Sequence, residues 1–289
     1  MSDGRPPHPV PLYPLLYEPL IRRALEEDLG RAGDLTSDSI LPPHLRGEAR
    51  VVARAGGRLA GLPMALAAFR LLDPEIEIET CAADGEDVAA GDVLAIVRGP
   101  ARALLSAERT ALNLLGRLCG IATATRDLVH LVEPHGARVV CTRKTTPGLR
   151  ALEKYAVRCG GGHNHRFGLD DAVLIKDNHV ALAGGLRPAV ERARNAVGHL
   201  VKIEVEVDSL EMLREALDLK ADVVLLDNMS VDTLREAVAM AKGKAITEAS
   251  GGITPETAAA IAATGVDLLS LGWLTHSAPA LDVALDVDG

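Results

Sequence analysis

Six short apolar segments between Arg138 and Leu271 are the feature that most limits what this chain can fold into. Each has the length of a β-strand, and most are followed by residues with the 3.6-residue apolar spacing of a helix. Repeated strand–helix units predict parallel strands joined by right-handed crossovers. The predicted strands are Arg138–Thr142, Ala172–Ile175, Lys202–Val207, Val223–Leu226, Ala245–Glu248 and Leu268–Leu271.

Six units fall short of a full α/β barrel, which has about eight. The expected fold class is therefore α/β, an incomplete parallel α/β barrel, with an open doubly wound sheet as the alternative. Before the barrel, short strands separated by Gly pairs (Ala49–Arg54, Glu75–Cys81 and Val93–Val97) indicate a smaller N-terminal domain. Between the two, Ser106–Leu131 has helical spacing, and we expect an interruption near Gly120.

The composition is that of an ordinary globular protein with few aromatic residues. Aromatics make up 2% of the chain, so the core must consist mainly of Ala, Val, Leu and Ile. No apolar run reaches the length of a membrane span, and the Pro-rich start, Met1–Pro14, lacks the apolar region of a secretory signal. This favours a cytoplasmic location. The four cysteines form no CxxC pair, which argues against a zinc knuckle and a disulfide framework.

The charge of the chain is uneven. Its net charge of -9 disfavours nucleic acid as a partner. Residues 138–176 nevertheless hold eight Lys or Arg against three acidic residues. A basic island in an acidic protein predicts a small anionic ligand, since a nucleic acid would need a wider basic surface. The basic residues are Arg138, Arg143, Lys144, Arg150, Lys154, Arg158, Arg166 and Lys176.

All six predicted strands end in polar, charged or glycine residues. Parallel α/β folds bind their ligands at the C-terminal ends of their strands. A scaffold without a site there would have fewer such ends by chance, so this pattern favours an enzyme. The ends are Thr142-Arg143-Lys144, Lys176-Asp177-Asn178-His179, Glu204 with Glu206, Asp227-Asn228, Glu248–Gly252 and Ser270-Leu271-Gly272.

Two carboxylates share one face of the third strand. Lys202–Val207 alternates with a period of two, so Glu204 and Glu206 point the same way. Carboxylates inside a barrel need a metal ion or a cationic partner. Together with Asp227 they offer the hard oxygen ligands that Mg²⁺ prefers. The alternative is structural pairing with a nearby Lys or Arg.

Two glycine loops have the composition of phosphate-binding loops. Ala249–Thr254 leads into a helix that begins near Pro255, where backbone N–H groups and the helix dipole favour an anion. The loop at Gly272 can serve the same phosphate. The two histidines of His163-Asn164-His165 lack a third metal ligand at suitable spacing, so His165 and Arg166 are better interpreted as donors to a carboxylate.

Several long, ordered motifs resemble the quinolinate phosphoribosyltransferase family. The most specific is CTRKTTPGLRALEKYAVRCGGGHNHRFGLDDAVLIKDNH at 141–179. The similarity extends over nearly the whole chain. It includes EEDLGRAGDLTSDSI (26–40), ERTALNLLGRLCGIATAT (108–125), EVEVDSLEML (204–213), LLDNM (225–229), EASGGIT (248–254) and LGWLTHSAPALD (271–282). One departure is Cys141, where family members often have Asp.

The resemblance implies a reaction and an architecture. Quinolinate and phosphoribosyl pyrophosphate would give nicotinate mononucleotide, pyrophosphate and CO₂, with Mg²⁺ as cofactor, in NAD biosynthesis. The fold would be an incomplete α/β barrel beside an N-terminal α/β sandwich. The implied domains are residues 1–113, joined by the C-terminal tail 277–289, and residues 114–276. A homodimer or higher oligomer is implied, because Arg109 matches an arginine that the family supplies from the neighbouring subunit.

The resemblance also assigns roles to individual residues. The quinolinate carboxylates would be held by Arg143, His165, Arg166 and Lys176. The implied catalytic residues are Lys144, Lys176, Glu206 and Asp227, of which Glu206 and Asp227 would bind Mg²⁺. The full substrate-binding set would be Arg109, Thr142, Arg143, Lys144, His165, Arg166, Lys176, Glu206, Asp227, Ser250, Gly251, Gly252, Ser270, Gly272 and His276.

Three other interpretations are weaker. Asp84–Gly99 is similar to half of a biotinyl or lipoyl carrier, but the first lysine of the chain is Lys144, so no acceptor lysine lies in that segment. A molybdenum-transport-associated paralogue of the same fold has a related TRK segment, yet GGGHNHR is closer to the quinolinate enzyme. An inactive homologue is disfavoured by the intact cationic set.

Overall fold

The computed structural model describes residues 9–287. The strands of this part of the chain are β1 (Arg46–Ala53), β2 (Gly57–Arg58), β3 (Glu77–Thr80), β4 (Asp87–Val88), β5 (Val93–Pro100), β6 (Arg138–Val140), β7 (Val173–Ile175), β8 (Ile203–Val207), β9 (Val223–Asp227), β10 (Ile246–Ser250), β11 (Leu268–Ser270) and β12 (Val283–Val287). Its α-helices are α1 (Glu18–Leu29), α2 (Leu35–Ile40), α3 (Leu62–Leu72), α4 (Ala101–Val132), α5 (Arg150–Cys159), α6 (Asp177–Ala183), α7 (Leu186–Ala196), α8 (Leu210–Asp218), α9 (Val231–Ala241), α10 (Pro255–Ala262) and α11 (Trp273–His276).

The chain divides into two compact units. The first contains the residues up to Arg126, the segment Thr145–Gly161 and the C-terminal residues from Leu274. The second contains Asp127–Lys144 and Gly162–Trp273. The predicted boundary between residues 113 and 114 falls inside α4, whereas the contacts divide that helix between Arg126 and Asp127. Residues 1–8 and 288–289, part of the predicted N-terminal domain and tail, lie outside the described residues.

The first unit is built on an antiparallel sheet with the strand order β12–β1–β5–β3. The C-terminal strand β12 pairs with β1 from Ala49↔Val287 to Ala53↔Val283. Helices α1 and α3 contact each other and bury Ile21 and Phe69 completely. The carrier-like segment stabilises this unit, because the partly buried carboxylate of Asp84 accepts the N–H groups of Gly61 and Leu62 at the start of α3.

A buried ion pair connects three parts of the first unit. Glu153 on α5 has no exposed surface, and its Oε1 accepts from Nη2 of Arg117 at 2.9 Å. The same carboxylate accepts from the backbone N of Thr146 at 3.0 Å and from its Oγ1 at 2.8 Å. Arg117 also donates to the carbonyl oxygen of Thr275. A single buried carboxylate therefore links α4, the residues before α5 and α11.

The second unit contains a parallel sheet with the strand order β6–β11–β10–β9–β8–β7. Each strand from β7 to β10 pairs with its successor in the chain, and the last strand of the sheet, β11, pairs with the first, β6. This cyclic order is that of an α/β barrel opened between its first and second strands. The backbone of His163 adds an isolated parallel bridge to Val140, on the open side of β6.

Local sequence explains how these units form. In β8 the residues Ile203, Val205 and Val207 are buried, and α7 and α8 contact this strand. Because side chains alternate along a strand, Glu204 and Glu206 face the other way. Ser209 begins α8 by accepting the N–H of Met212, a typical N-cap.

The structure confirms the α/β class, the six parallel strands and the incomplete barrel. The expected interruption of the long helix near Gly120 is wrong, because α4 continues without a break from Ala101 to Val132. Gly120 instead allows close packing, since a Cβ there would lie 2.9 Å from the carbonyl carbon of Pro279. None of the helices between residues 9 and 287 combines the length and the hydropathy that a membrane span requires.

Candidate active site

The strand register places acidic residues of β8, β9 and β10 on one face of the parallel sheet. Glu206 on β8 lies level with Leu225 on β9, which lies level with Glu248 on β10. Two residues further along, Asp227 lies level with Ser250. Because side chains alternate, Glu206, Asp227, Glu248 and Ser250 all project from this face. The predicted strand-end residues therefore belong to one surface.

Lys176 and Glu206 form an ion pair on this surface. Lys176 follows β7, and its Nζ lies 2.8 Å from Oε2 of Glu206. The lysine side chain retains 47% of its exposure and the glutamate 16%. A pair this accessible is weak as a stabilising contact but leaves a cation available to a ligand.

A tight turn after β9 connects Asp227 to the glycine loop. Asn228 has a left-handed backbone with φ 53, and its Nδ2 donates to Oδ2 of Asp227 at 2.8 Å. Its backbone N–H donates to the carbonyl oxygen of Ser250 at 2.9 Å. A Cβ on Gly251, where φ is +95, would lie 2.5 Å from Cγ of Asn228. Only glycine fits there, so the shape of this loop depends on the neighbouring asparagine.

Lys144 lies against the second glycine loop. A Cβ on Gly272 would approach Cδ of Lys144 to 2.6 Å and Oγ1 of Thr142 to 3.3 Å. Thr142 in turn accepts the backbone N–H of Lys144 at 3.0 Å. The missing side chain of Gly272 therefore leaves the space that the stem of Lys144 occupies. Ser270, at the end of β11, is buried and donates to the carbonyl oxygen of Ala249 at 3.4 Å.

Two arginines of the basic island influence each other. Arg166 donates through Nη1 to the carbonyl oxygen of Ala172 at 3.1 Å. Burial, and then the positive charge of Arg143, lowers the pKa of Arg166, and Glu204 partly offsets this. Nε of Arg143 is buried without a hydrogen-bond partner among the described residues. Two partly desolvated guanidinium groups of this kind favour an anionic ligand between or beside them.

His165 lies beside two buried carboxylates, a grouping that the sequence analysis did not anticipate. Its Nε2 is 2.9 Å from Oε2 of Glu204 and 3.6 Å from Oε1 of Glu248. Its Nδ1 accepts the backbone N–H of Arg166 at 2.8 Å. Burial, followed by the charge of Glu204, raises the pKa of Glu248 to about 7. Both ring nitrogens thus have partners within the chain, and the role of His165 as a quinolinate ligand stays a prediction.

The sequence contained a signal for this cluster. Glu248 stands within the apolar strand β10, as Glu204 does within β8, and a buried acid in a strand requires a partner. Glu204 and Glu248 are remote in sequence from the histidine pair, so the spacing of residues along the chain does not reveal them as partners of His165. Their ligand atoms and that of His165 lie within 4.8 Å of one another, close enough to be considered for a metal ion.

Arg109 and His276 belong to the first unit. The Arg109 side chain is 64% exposed, and its Nη2 lies 3.6 Å from Oε1 of Glu108. His276 Nδ1 lies 2.6 Å from Oγ of Ser277. Their predicted contacts with substrate stay predictions.

Glu206 and Asp227 have the donor chemistry that Mg²⁺ requires. They lie on adjacent strands and project from the same face, with Asp227 two residues beyond the register partner of Glu206. Carboxylate oxygens are the ligands this ion prefers, and Mg²⁺ commonly takes one or two of them from the protein and the remainder from water and substrate phosphates. The residues present therefore fit the ion.

The fold and the site together define a class of protein. One edge of the parallel α/β barrel carries four cations beside carboxylates and two glycine loops; the cations are Arg143, Lys144, Arg166 and Lys176. Such an edge is typical of the active site of an enzyme that acts on anionic, phosphate-bearing substrates.

Comparison with known proteins identifies the family. Residues 34–119 match the N-terminal domain of quinolinate phosphoribosyl transferase, and residues 121–286 match its C-terminal domain. The chain therefore belongs to the quinolinate phosphoribosyltransferase family, as its motifs predicted.

Individual relatives are similar over most of their length. A Bacillus subtilis protein named probable nicotinate-nucleotide pyrophosphorylase (carboxylating) is 48% identical over 94% of each chain. A Nicotiana tabacum protein named quinolinate phosphoribosyltransferase (decarboxylating) 2b is 38% identical over 93% of this chain and 81% of its own. The solved nicotinate-nucleotide pyrophosphorylase of Francisella tularensis is 39% identical, with a TM-score of 0.93 over 98% of this chain and 100% of its own.

Proposed function

We propose that this chain transfers the phosphoribosyl group of phosphoribosyl pyrophosphate to quinolinate, with loss of CO₂, to give nicotinate mononucleotide and pyrophosphate in NAD biosynthesis. The observation that carries the proposal is the edge of the parallel sheet, where cations, carboxylates and glycine loops meet in a chain of this family. Quinolinate is a dianion and its co-substrate carries several further negative charges, so the site must be cationic.

Arg143, Arg166 and Lys176 suit the two carboxylates of quinolinate. A guanidinium group can hold a carboxylate through two parallel hydrogen bonds, and a partly desolvated one binds more strongly than an exposed one. The lowered pKa of Arg166 and the unpartnered Nε of Arg143 support this role. Lys176 can exchange its contact with Glu206 for one to substrate.

The phosphate groups suit the two glycine loops. Ser250, Gly251 and Gly252 precede α10, whose N-terminus favours an anion. Ser270 and Gly272 follow on the adjacent strand, with Thr142 and Lys144 beside them. Lys144 would then neutralise charge on the pyrophosphate.

Mg²⁺ would be held by Glu206 and Asp227. When bound, the ion would neutralise charge on the pyrophosphate and make it a better leaving group. The assignment predicts that Glu206→Gln and Asp227→Asn each raise the Mg²⁺ concentration needed for half-maximal activity. Activity that survives complete removal of divalent ions by EDTA would refute it.

The reaction then needs little covalent chemistry from the protein. The bond between C1′ of ribose and pyrophosphate breaks, and the ring nitrogen of quinolinate bonds to C1′ through a transition state with oxocarbenium character. The bond from C2 to its carboxylate breaks as CO₂ leaves, and the electron pair that stays on C2 takes up a proton. Arg143, Lys144 and Lys176 would stabilise the negative charges of these steps through preorganised contacts.

The resemblance implies a dimer in which Arg109 of one subunit completes the site of the other, and His276 is assigned to substrate on the same basis. Subunit mixing tests the shared site. Arg109→Ala and Lys176→Ala should each be nearly inactive, and a mixture of the two should regain activity because one site of a hybrid dimer is intact. No recovery after verified subunit exchange would contradict the shared site.

A further inference from the structure

Three side chains of the second unit form a buried cluster whose members come from distant parts of the chain. His165 lies in the segment that follows the bridge to β6, Glu204 in β8 and Glu248 in β10. The side chains of the two carboxylates retain 8% and 2% of their exposure, and that of the histidine 13%. Nothing in the proposed reaction requires Glu204 or Glu248 to touch substrate.

The ring of His165 is held from both sides. Nδ1 accepts the backbone N–H of Arg166, so the proton of the neutral ring lies on Nε2. That Nε2–H points at Oε2 of Glu204, 2.9 Å away. The ring of His165 thus connects the carboxylate of Glu204, on β8, to the backbone of Arg166.

The hydrogen-bond pattern disfavours a metal ion in this cluster. A histidine that binds a metal through one nitrogen normally donates a proton from the other. Here Nδ1 is an acceptor, so binding of a metal at Nε2 would require the ring to lose its remaining proton. The pattern fits a hydrogen-bonded support for the His165–Arg166 backbone instead.

Burial of the two carboxylates has a cost in desolvation. Oε1 of Glu204 and Oε1 of Glu248 are buried without hydrogen-bond partners among the described residues. Apolar side chains of similar size would pack in such positions without this desolvation. Oε1 of Glu248 lies 3.6 Å from Nε2 of His165, the same ring nitrogen that faces Glu204.

We infer that Glu204, with Glu248 beside it, is a positioning residue that acts through His165 to hold Arg166 in place for a carboxylate of quinolinate. The inference rests on the proposed function and adds a determinant of affinity for one of the two substrates. It assigns no catalytic step to either glutamate.

The test compares the two Michaelis constants in variants of Glu204. Glu204→Leu keeps much of the side-chain volume but removes the acceptor, and should raise the KM for quinolinate about tenfold, the equivalent of one lost charge-assisted hydrogen bond. The KM for phosphoribosyl pyrophosphate should change less than about twofold. Glu204→Gln retains an oxygen acceptor for Nε2–H and should restore the KM for quinolinate to near the wild-type value.

Val205→Ala is the matched control, since it perturbs the buried face of the same strand without touching His165. It should lower stability and leave both Michaelis constants unchanged. An equal rise of both constants in Glu204→Leu, or an unchanged KM for quinolinate, would overturn the inference. Wild-type protein that fails to convert quinolinate would overturn the proposed function instead.

A second measurement determines the protonation of the ring in the wild type and does not depend on enzyme kinetics. In protein with ¹⁵N-labelled histidine, the ring signals of His165, assigned by their loss in His165→Gln, should show a protonated Nε2 and an unprotonated Nδ1. A protonated Nδ1 would contradict the described support of the Arg166 backbone and overturn the inference.

Discussion

Replacement of Glu153 tests how much a single buried carboxylate contributes to the first unit. Its two oxygens accept four hydrogen bonds, two from Arg117 and two from Thr146. Glu153→Ala would remove all four. Among residues 9–287, Arg117, whose side chain is 25% exposed, would then keep as acceptors the backbone oxygens of Thr275 and Ala278.

The size of the effect follows from burial. Loss of one partner of a buried ion pair is expected to lower the free energy of unfolding by ~3–5 kcal/mol. Glu153→Gln should lower it by less, ~1–3 kcal/mol, because the amide oxygen can still accept at one position while its NH₂ group faces a donor at the other. The expected order of stability is therefore wild type, then Gln, then Ala.

Urea unfolding followed by far-ultraviolet circular dichroism measures this order. Glu211→Gln is the matched control: Glu211 pairs with Arg214 at 3.6 Å, but its side chain is 82% exposed, so the change should be within ~0.5 kcal/mol. A loss in Glu153→Ala no larger than that of the control would refute the argument from burial.

Three further predictions concern the second unit. Gly251→Ala should raise the KM for phosphoribosyl pyrophosphate and lower the free energy of unfolding more than Gly243→Ala does, since Gly243 has a similarly positive φ but open space around it. Equal losses of stability in the two variants would refute the overlap of the new Cβ with Asn228. Gly272→Ala should lower kcat with little loss of stability, because the flexible stem of Lys144 yields to the new Cβ; unchanged kinetics would contradict the described packing. The pKa of Glu248 is raised from 4.5 to about 7 in the folded protein, so the stability of the wild type relative to Glu248→Gln should fall as the pH rises between these values. The same pH dependence of stability in the two proteins would contradict the raised pKa.

Most of the fold was predictable from the chain itself. Strand periodicity identified all six parallel strands, because each is a short buried segment bounded by polar residues. The helix around Gly120 was less predictable, since the backbone of Pro279, which packs against that glycine, is remote in sequence. Local propensity favours a break at glycine, and tertiary packing overrides it.

The site was predictable where its residues end strands. The pairing of Lys176 with Glu206 follows from neighbouring strand ends, and the period of two correctly put Glu204 and Glu206 on one face. The cluster of His165, Glu204 and Glu248 was not predictable, because it depends on which strands become neighbours and on the path of the segment before β7. The burial of Glu153 was missed for the same reason, as helical spacing does not reveal which face a partner covers.

The choice between quinolinate and nicotinate tests the central claim most directly. Purified protein with phosphoribosyl pyrophosphate and Mg²⁺ should convert quinolinate to nicotinate mononucleotide and release CO₂ in equal amounts, while nicotinate, which lacks the second carboxylate, should not react. Two partly buried guanidinium groups and Lys176 are expected to require both carboxylates. Turnover of nicotinate together with inactivity towards quinolinate would contradict the account.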